Sequence, residues 1–278
     1  SRLSSKYPKL NFVAMPGAPL IRTPIGLFLF VKGFVSSYLQ SKRFYKKVNA
    51  DAMIGFGGFT SLGPAVAALL QKIPIFIHEA NRAVGKAVRM IAKNSDRVYL
   101  PEGMVLEGLS SEVVKNVGYP LRKEFRRIPR ERARKHLGIS NSDRLLLVLG
   151  GSQGAASLNK WVKKNLSDLA GEGIATLCIT GMGKDSSGVV QLDGPADEII
   201  TSRFIAFTDE MNVLLSAADL VVSRAGAGAI AEIVRCRVPS ILIPYPFAAD
   251  NHQLHNARFL EVKGGGLVCK DEDLTEIL

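Results

Sequence analysis

Three glycine-rich turns, each directly behind a short apolar run, constrain this chain more than any other feature. They are GFGGF at 55–59, GGSQGA at 150–155 and RAGAGA at 224–229. A short apolar run that ends in a turn suits a strand buried on both faces, as in a parallel sheet covered by helices. The turn behind such a strand lies at the carboxyl edge of the sheet, where N–H groups at the helix start attract phosphate. Glycine lets the backbone approach an anion closely and take positive φ. None of the three turns continues into the Gly-Lys-Ser/Thr of a P-loop, so the set points to a nucleotide site of another kind. A dinucleotide fingerprint fits less well. Gly226 and Gly228 supply its first two glycines, but the continuation to Glu232 departs from it.

The rest of the chain repeats the strand–turn–helix rhythm. Strands are expected at 51–56, 73–77 and 97–100, with helices at 61–72 and 85–93. The stretch 122–144 is crowded with charge, holds Pro129 and suits a linker into a new domain. The rhythm then restarts, with strands expected at 145–149, 175–180, 204–207, 220–223, 240–244 and 266–269. Helices are expected at 155–169, 211–218, 227–236 and 251–261. At 278 residues the chain can hold two α/β domains, placed here at 1–122 and 123–278.

Charge divides along the same line. Residues 1–122 carry 17 Lys and Arg against 6 Asp and Glu, which accounts for the whole net charge of +11. One domain therefore suits a polyanionic partner. From Pro24 to Lys47, the apolar Leu27, Phe28, Leu29, Phe30, Val31 and Phe34 precede Lys42, Arg43, Lys46 and Lys47. That order suits an interfacial helix on anionic lipid. No zinc-finger, RNP-like or helix-turn-helix pattern speaks for nucleic acid. No run reaches the roughly 18–20 apolar residues that cross a bilayer. Cys178, Cys236 and Cys269 show no metal-ligand spacing and suit reduced core positions; no metal or cofactor is expected. Glu232, about one helical turn beyond the third glycine turn, could accept two ribose hydroxyls or could be a solvated helix residue.

Taken in order, GFGGFTSLGP (55–64), HEAN (78–81), GYPLR (118–122), GGSQGA (150–155), RAGAGAIAE (224–232) and DNHQLHNA (250–257) resemble the MurG family of bacterial N-acetylglucosaminyltransferases, in glycosyltransferase family 28. The resemblance implies an α/β protein of GT-B type, with two Rossmann-like domains facing across a cleft. It implies transfer of GlcNAc from UDP-GlcNAc to the muramyl C4 hydroxyl of lipid I, with inversion, at the cytoplasmic face of the membrane. By motif match, Asn81 would contact the sugar, and Arg122 and Ser152 the nucleotide–sugar. Ala227, Gly228 and Ala229 would hold diphosphate at a helix N-terminus, with Glu232 on the ribose. The backbone of Thr208 would read uracil, and His252 and Gln253 would grip the GlcNAc hydroxyls. His78 and Glu79 are candidates for catalytic or supporting work near the acceptor. His136 and His255 are expected to be structural.

The chain also departs from the family. The Gly-Gly-His turn that opens the family's first domain, with its favoured general-base histidine, has no counterpart before residue 55. The final helices are not seen after Cys269 either, so a piece truncated at both ends is expected. Ala80, Ala225 and Ala229 stand where the family carries Gln, Ser and Thr, and weaker diphosphate binding is expected. These departures keep two alternatives open: a related GT-B glycolipid glycosyltransferase, or a non-catalytic UDP-sugar-binding subunit.

Overall fold

The computed structural model describes residues 7–276 apart from 22, 124, 152–153 and 184–186. Its contacts divide the chain into two compact units. The first comprises residues up to Ala80 together with Val84–Gly118; the second comprises Asn81–Ala83 and everything from Tyr119 onward.

The first unit opens with α1 (Pro24–Val48). Thr23 caps it by accepting a hydrogen bond from the Gly26 amide at 3.1 Å, and Pro24 fills the first helical position, where no amide partner is needed. Lys46 and Lys47 sit in its last turn, where the helix dipole favours cations. Behind it come β1 (Met53–Gly55), α2 (Leu62–Leu70), β2 (Ile75–His78), α3 (Lys86–Ala92), β3 (Arg97–Leu100) and β4 (Val114–Asn116). The strands form one parallel sheet in the order β1-β2-β3-β4. Its core joins Ile75, Ile77, Val98 and Leu100 to Ala65, Ala68, Val88 and Ile91 from the helices.

The second unit begins with α4 (Arg130–Leu137) and β5 (Arg144–Leu149), followed by α5 (Ala156–Lys164) and α6 (Leu166–Gly171). Then come β6 (Ile174–Ile179), β7 (Gly188–Asp193), β8 (Ile199–Ile205), α7 (Met211–Ala217) and β9 (Leu220–Ser223). α8 (Ala227–Cys236), β10 (Ser240–Leu242), α9 (His252–Val262) and β11 (Leu267–Val268) complete it. The sheet order is β11-β10-β9-β5-β6-β8-β7, parallel throughout except for the antiparallel β7. Five successive residues of β5, Leu145–Leu149, are buried, with Leu147 opposite both Leu177 and Val221. The chain moves outward from β5 through β6 to β8, then returns to the other side of β5 at β9. The order therefore reverses between β5 and β9, where α/β sheets bind ligands beyond their carboxyl ends.

The structure corrects four sequence expectations. The charged stretch 122–144 is not a simple linker: it contains α4, and Arg134 within it is 0% exposed. Its Nε donates to Ala217 O, and Nη1 donates to the carbonyls of Ser140, Asn141 and Asp143. Nη2 meets Asp219 Oδ2 at 2.6 Å, and that oxygen also accepts from the Leu145 amide. The single helix expected at 155–169 is interrupted at Asn165, whose side-chain amide donates to Trp161 O. The strand expected at 204–207 instead spans Ile199–Ile205 and forms a hairpin with β7, which the apolar pattern does not reveal. β4 was missed for the same reason, since its residues are largely exposed.

Candidate nucleotide-binding site

Two of the three glycine turns meet at the reversal point of the second sheet. The turn after β5 requires glycine. Gly151 and Gly154 have φ of 80° and 68°, and a Cβ on Gly154 would lie 2.1 Å from Thr180 O. Asn159, buried in α5, donates to that same carbonyl at 3.0 Å and ties the turn to β6. The turn after β9 leads into α8, whose N-cap Gly226 makes no side-chain capping bond, so the first amides of the helix face outward unpaired by a cap.

A cavity of about 860 Å3 opens at this edge of the second unit. Gly150, Gly151 and Gly154 line one wall, Gly226, Gly228, Ala229 and Glu232 another, and Phe207, Thr208 and Met211 a third. Partial burial raises the Glu232 carboxyl above its usual range, and the charge of Arg122 pulls it partly back. Thr208 Oγ1 is occupied locally, accepting from the Glu210 amide at 3.0 Å. Gln253 Oε1 accepts from the Ala225 amide at 3.2 Å and the Tyr245 amide at 2.9 Å. Its carbonyl thus pins two loops together beside the cavity that Gln253 lines. His252 Nδ1 lies 2.8 Å from Ala249 O. Asp250 and Asn251, both at φ 51°, make the consecutive left-handed steps that start α9 beside the cavity. Asp and Asn tolerate that conformation better than most residues.

The structure therefore gathers Thr208, Gly228, Ala229, Glu232 and Gln253 on one cavity, with Ala227 between two lining residues. Asn81, grouped with this unit, accepts from Asn256 Nδ2 at 3.1 Å, and the same amide group donates to Ala225 O. Ser152 lies outside the described residues. His78 and Glu79 belong to the first unit. Both are buried beside the first glycine turn, where the His78 ring tilts against Phe56 at a centroid distance of 5.6 Å.

Sequence reasoning passed over Arg224. This buried guanidinium donates to Ile243 O and to Ser157 Oγ, and pairs with Asp271 at 2.6 Å, fixing the cavity floor to three elements. A cation opening a glycine turn was the available signal. Asn256 was also passed over, although it follows Gln253 by three residues and so shares its helical face.

Two α/β units, the second with paired glycine turns at its reversal point, define a nucleotide-dependent protein of GT-B type. Family models narrow this class: residues 5–100 match the glycosyltransferase family 28 N-terminal domain, and residues 145–278 match its C-terminal domain. The chain is 42% identical over 97% of its length to the UDP-N-acetylglucosamine--N-acetylmuramyl-(pentapeptide) pyrophosphoryl-undecaprenol N-acetylglucosamine transferase of Opitutus terrae, spanning 72% of that protein. It is 34% identical over 90% of its length to the enzyme of the same name from Carboxydothermus hydrogenoformans, spanning 66% of it. The chain belongs to glycosyltransferase family 28. Among solved structures, MurG of Acinetobacter baumannii superposes with a TM-score of 0.69 at 24% identity, covering 99% of this chain and 77% of that one. A UDP-GlcNAc 2-epimerase from Neisseria meningitidis bound to UDP-GlcNAc reaches 0.59 at 11% identity, covering 88% and 72%. Both share the fold.

Proposed function

We propose that this chain transfers GlcNAc from UDP-GlcNAc to the muramyl C4 hydroxyl of lipid I, forming lipid II for peptidoglycan. The observation that carries this reading is the 42% identity, over nearly the whole chain, to a transferase named for that donor and acceptor. In the proposed arrangement uracil lies against the backbone at Thr208, Glu232 accepts the ribose hydroxyls, and diphosphate meets Ala227, Gly228 and Ala229 at the start of α8. Gln253, His252 and Asn81 take the sugar hydroxyls, and Arg122 and Ser152 the nucleotide–sugar. In the transfer the acceptor O4 bonds to C1 of GlcNAc with inversion, the C1–phosphate oxygen bond breaks, and the O4 proton passes to a base. The α8 N-terminus and Arg122 then stabilise the charge developing on UDP. His78 and Glu79 are the groups proposed for the acceptor side. The test is transfer of label from UDP-GlcNAc to a lipid I analogue. Transfer to diacylglycerol instead, or UDP-sugar binding without turnover, would overturn the reading.

The proposed site of action is the cytoplasmic membrane face, reached by peripheral attachment. Among the described residues no helix is long and apolar enough to cross a membrane. α1 supports attachment, because it leaves Ile25, Leu27, Phe28, Leu29 and Val31 exposed. Each Lys or Arg at an anionic surface contributes about 1 kcal/mol. Reversing Lys42, Arg43, Lys46 and Lys47 to glutamate should therefore lower partitioning onto phosphatidylglycerol vesicles by at least about 100-fold at low salt. Co-sedimentation measures this, and unchanged partitioning would make the basic cluster an ordinary solvated face.

A further inference from the structure

The loop between β10 and α9 presents an aromatic ring that the core does not use. Phe247 is 81% exposed, yet it lines the same cavity as Gly228, Glu232 and Gln253. A lone exposed apolar side chain is ordinary; this one is held in place. Its ring meets Tyr245 edge-on, with centroids 5.6 Å apart at 71°. The Tyr245 ring lies 5.6 Å from the Arg224 guanidinium, and the Tyr245 amide is tied to Gln253 Oε1. Pro244 and Pro246 flank Tyr245 and restrict the backbone on both sides. An apolar ring thus lines the same cavity as the Gln253 side chain, and Tyr245 touches the one and is bonded to the other.

This pairing matches the chemistry of a gluco-configured pyranose, which carries polar hydroxyls on its rim and axial C–H groups on its faces. We propose that Phe247, buttressed by Tyr245, is a stacking platform for the pyranose ring of the donor sugar. The proposal rests on the UDP-sugar reading above and adds a residue that discriminates sugar-bearing nucleotide from bare nucleotide. Arg224 supports the platform only through Tyr245, whereas Phe247 itself would touch the sugar.

Calorimetric titration of the wild-type protein and of Phe247→Ala with UDP and with UDP-GlcNAc tests this. The alanine variant should bind UDP-GlcNAc about 3–10-fold more weakly, as expected for loss of one aromatic contact, while UDP binds unchanged. Phe247→Tyr should restore the sugar-dependent part. Because the ring is exposed, the unfolding midpoint of Phe247→Ala should match that of wild type, so a binding loss is not a folding loss. Equal weakening for both ligands, or no change for either, would overturn the platform while leaving the UDP-sugar reading intact. Failure of the wild-type protein to bind either ligand would overturn both.

Discussion

Replacing Arg134 by alanine is expected to lower the unfolding free energy of the second unit by about 3–5 kcal/mol, the cost of breaking a buried ion pair from one side. The guanidinium has no solvent to fall back on, and the carbonyls of Ser140, Asn141, Asp143 and Ala217 converge on it. Without it those carbonyls lose a charged donor, and Asp219 Oδ2 keeps only the Leu145 amide. Arg130 also reaches Asp219, at 2.5 Å, but it is partly exposed and contacts the other carboxylate oxygen. Arg134→Lys should rescue little, since an ammonium cannot reproduce the planar fork that meets acceptors in several directions. Thermal unfolding should show a fall of roughly 10 °C for a chain of this size. A change under 2 °C would mean the carbonyl cluster is satisfied by water.

Glu232→Ala should weaken UDP binding about 100-fold, if the carboxylate accepts two ribose hydroxyls through charge-assisted bonds worth about 1.5 kcal/mol or more each. Glu232→Gln adds a second readout with the opposite sign. Burial raises the carboxyl of Glu232 in the folded protein, with Arg122 offsetting part of that rise. A carboxyl raised on folding destabilises the native state while it is ionised, so the cost is greatest at neutral pH. The cost is released as pH falls through the folded value, and is gone below the ordinary carboxylate range. Glu232→Gln should therefore be more stable than wild type at about pH 7 and equal to it by about pH 3, although it binds UDP less well. Over the same descent both proteins lose affinity as the UDP phosphate takes up a proton, and wild type should lose more than Glu232→Gln because its ribose-binding carboxylate is protonated as well. Equal stability of the two proteins at every pH would show that the carboxylate is fully compensated without ligand.

How much of this could be read from the chain depended on which force placed each residue. β3, β9 and α8 match their expected limits: the strands are short apolar runs with buried interiors, and α8 starts directly behind a glycine turn and stops at Arg237, whose φ is 57°. The two glycine turns at the reversal point were visible as well, though only the turn after β5 demands glycine through positive φ and close approach at Gly151 and Gly154; Gly226 has φ −66° and open space around its Cβ position. β7 was not visible, because an edge strand with alternating exposure (GVVQLD) carries too little apolar signal. Arg134 was hidden for the opposite reason. It lies in a charge run, and what buries it is a set of carbonyls brought together from two distant parts of the chain. In the site, Glu232 and Gln253 could be expected from their motifs. Arg224 and Asn256 carried only weaker signals, a cation opening a glycine turn and a position one helical turn beyond Gln253, since partners such as Ser157, Asp271 and Asn81 are brought to them only by the fold.

α1 carries an inverted order of constraint. Its buried positions are Gly26, Gly33, Ser37 and Ser41, while Leu27, Phe28, Leu29 and Val31 stand outside and Phe30 and Phe34 pack only partly against the core. A Cβ on Gly33 would come within 3.1 Å of Gly17 and Ala18, and one on Gly63 of α2 would collide with the Ser37 hydroxyl. The helix is seated by what its side chains lack. Drift among Leu27, Phe28 and Val31 should cost the fold little, whereas one added methyl on the small-residue side would push the helix off its seat. Hydropathy alone would rank these positions the other way round: for the fold, Leu27, Phe28 and Val31 matter less than the plain residues opposite them.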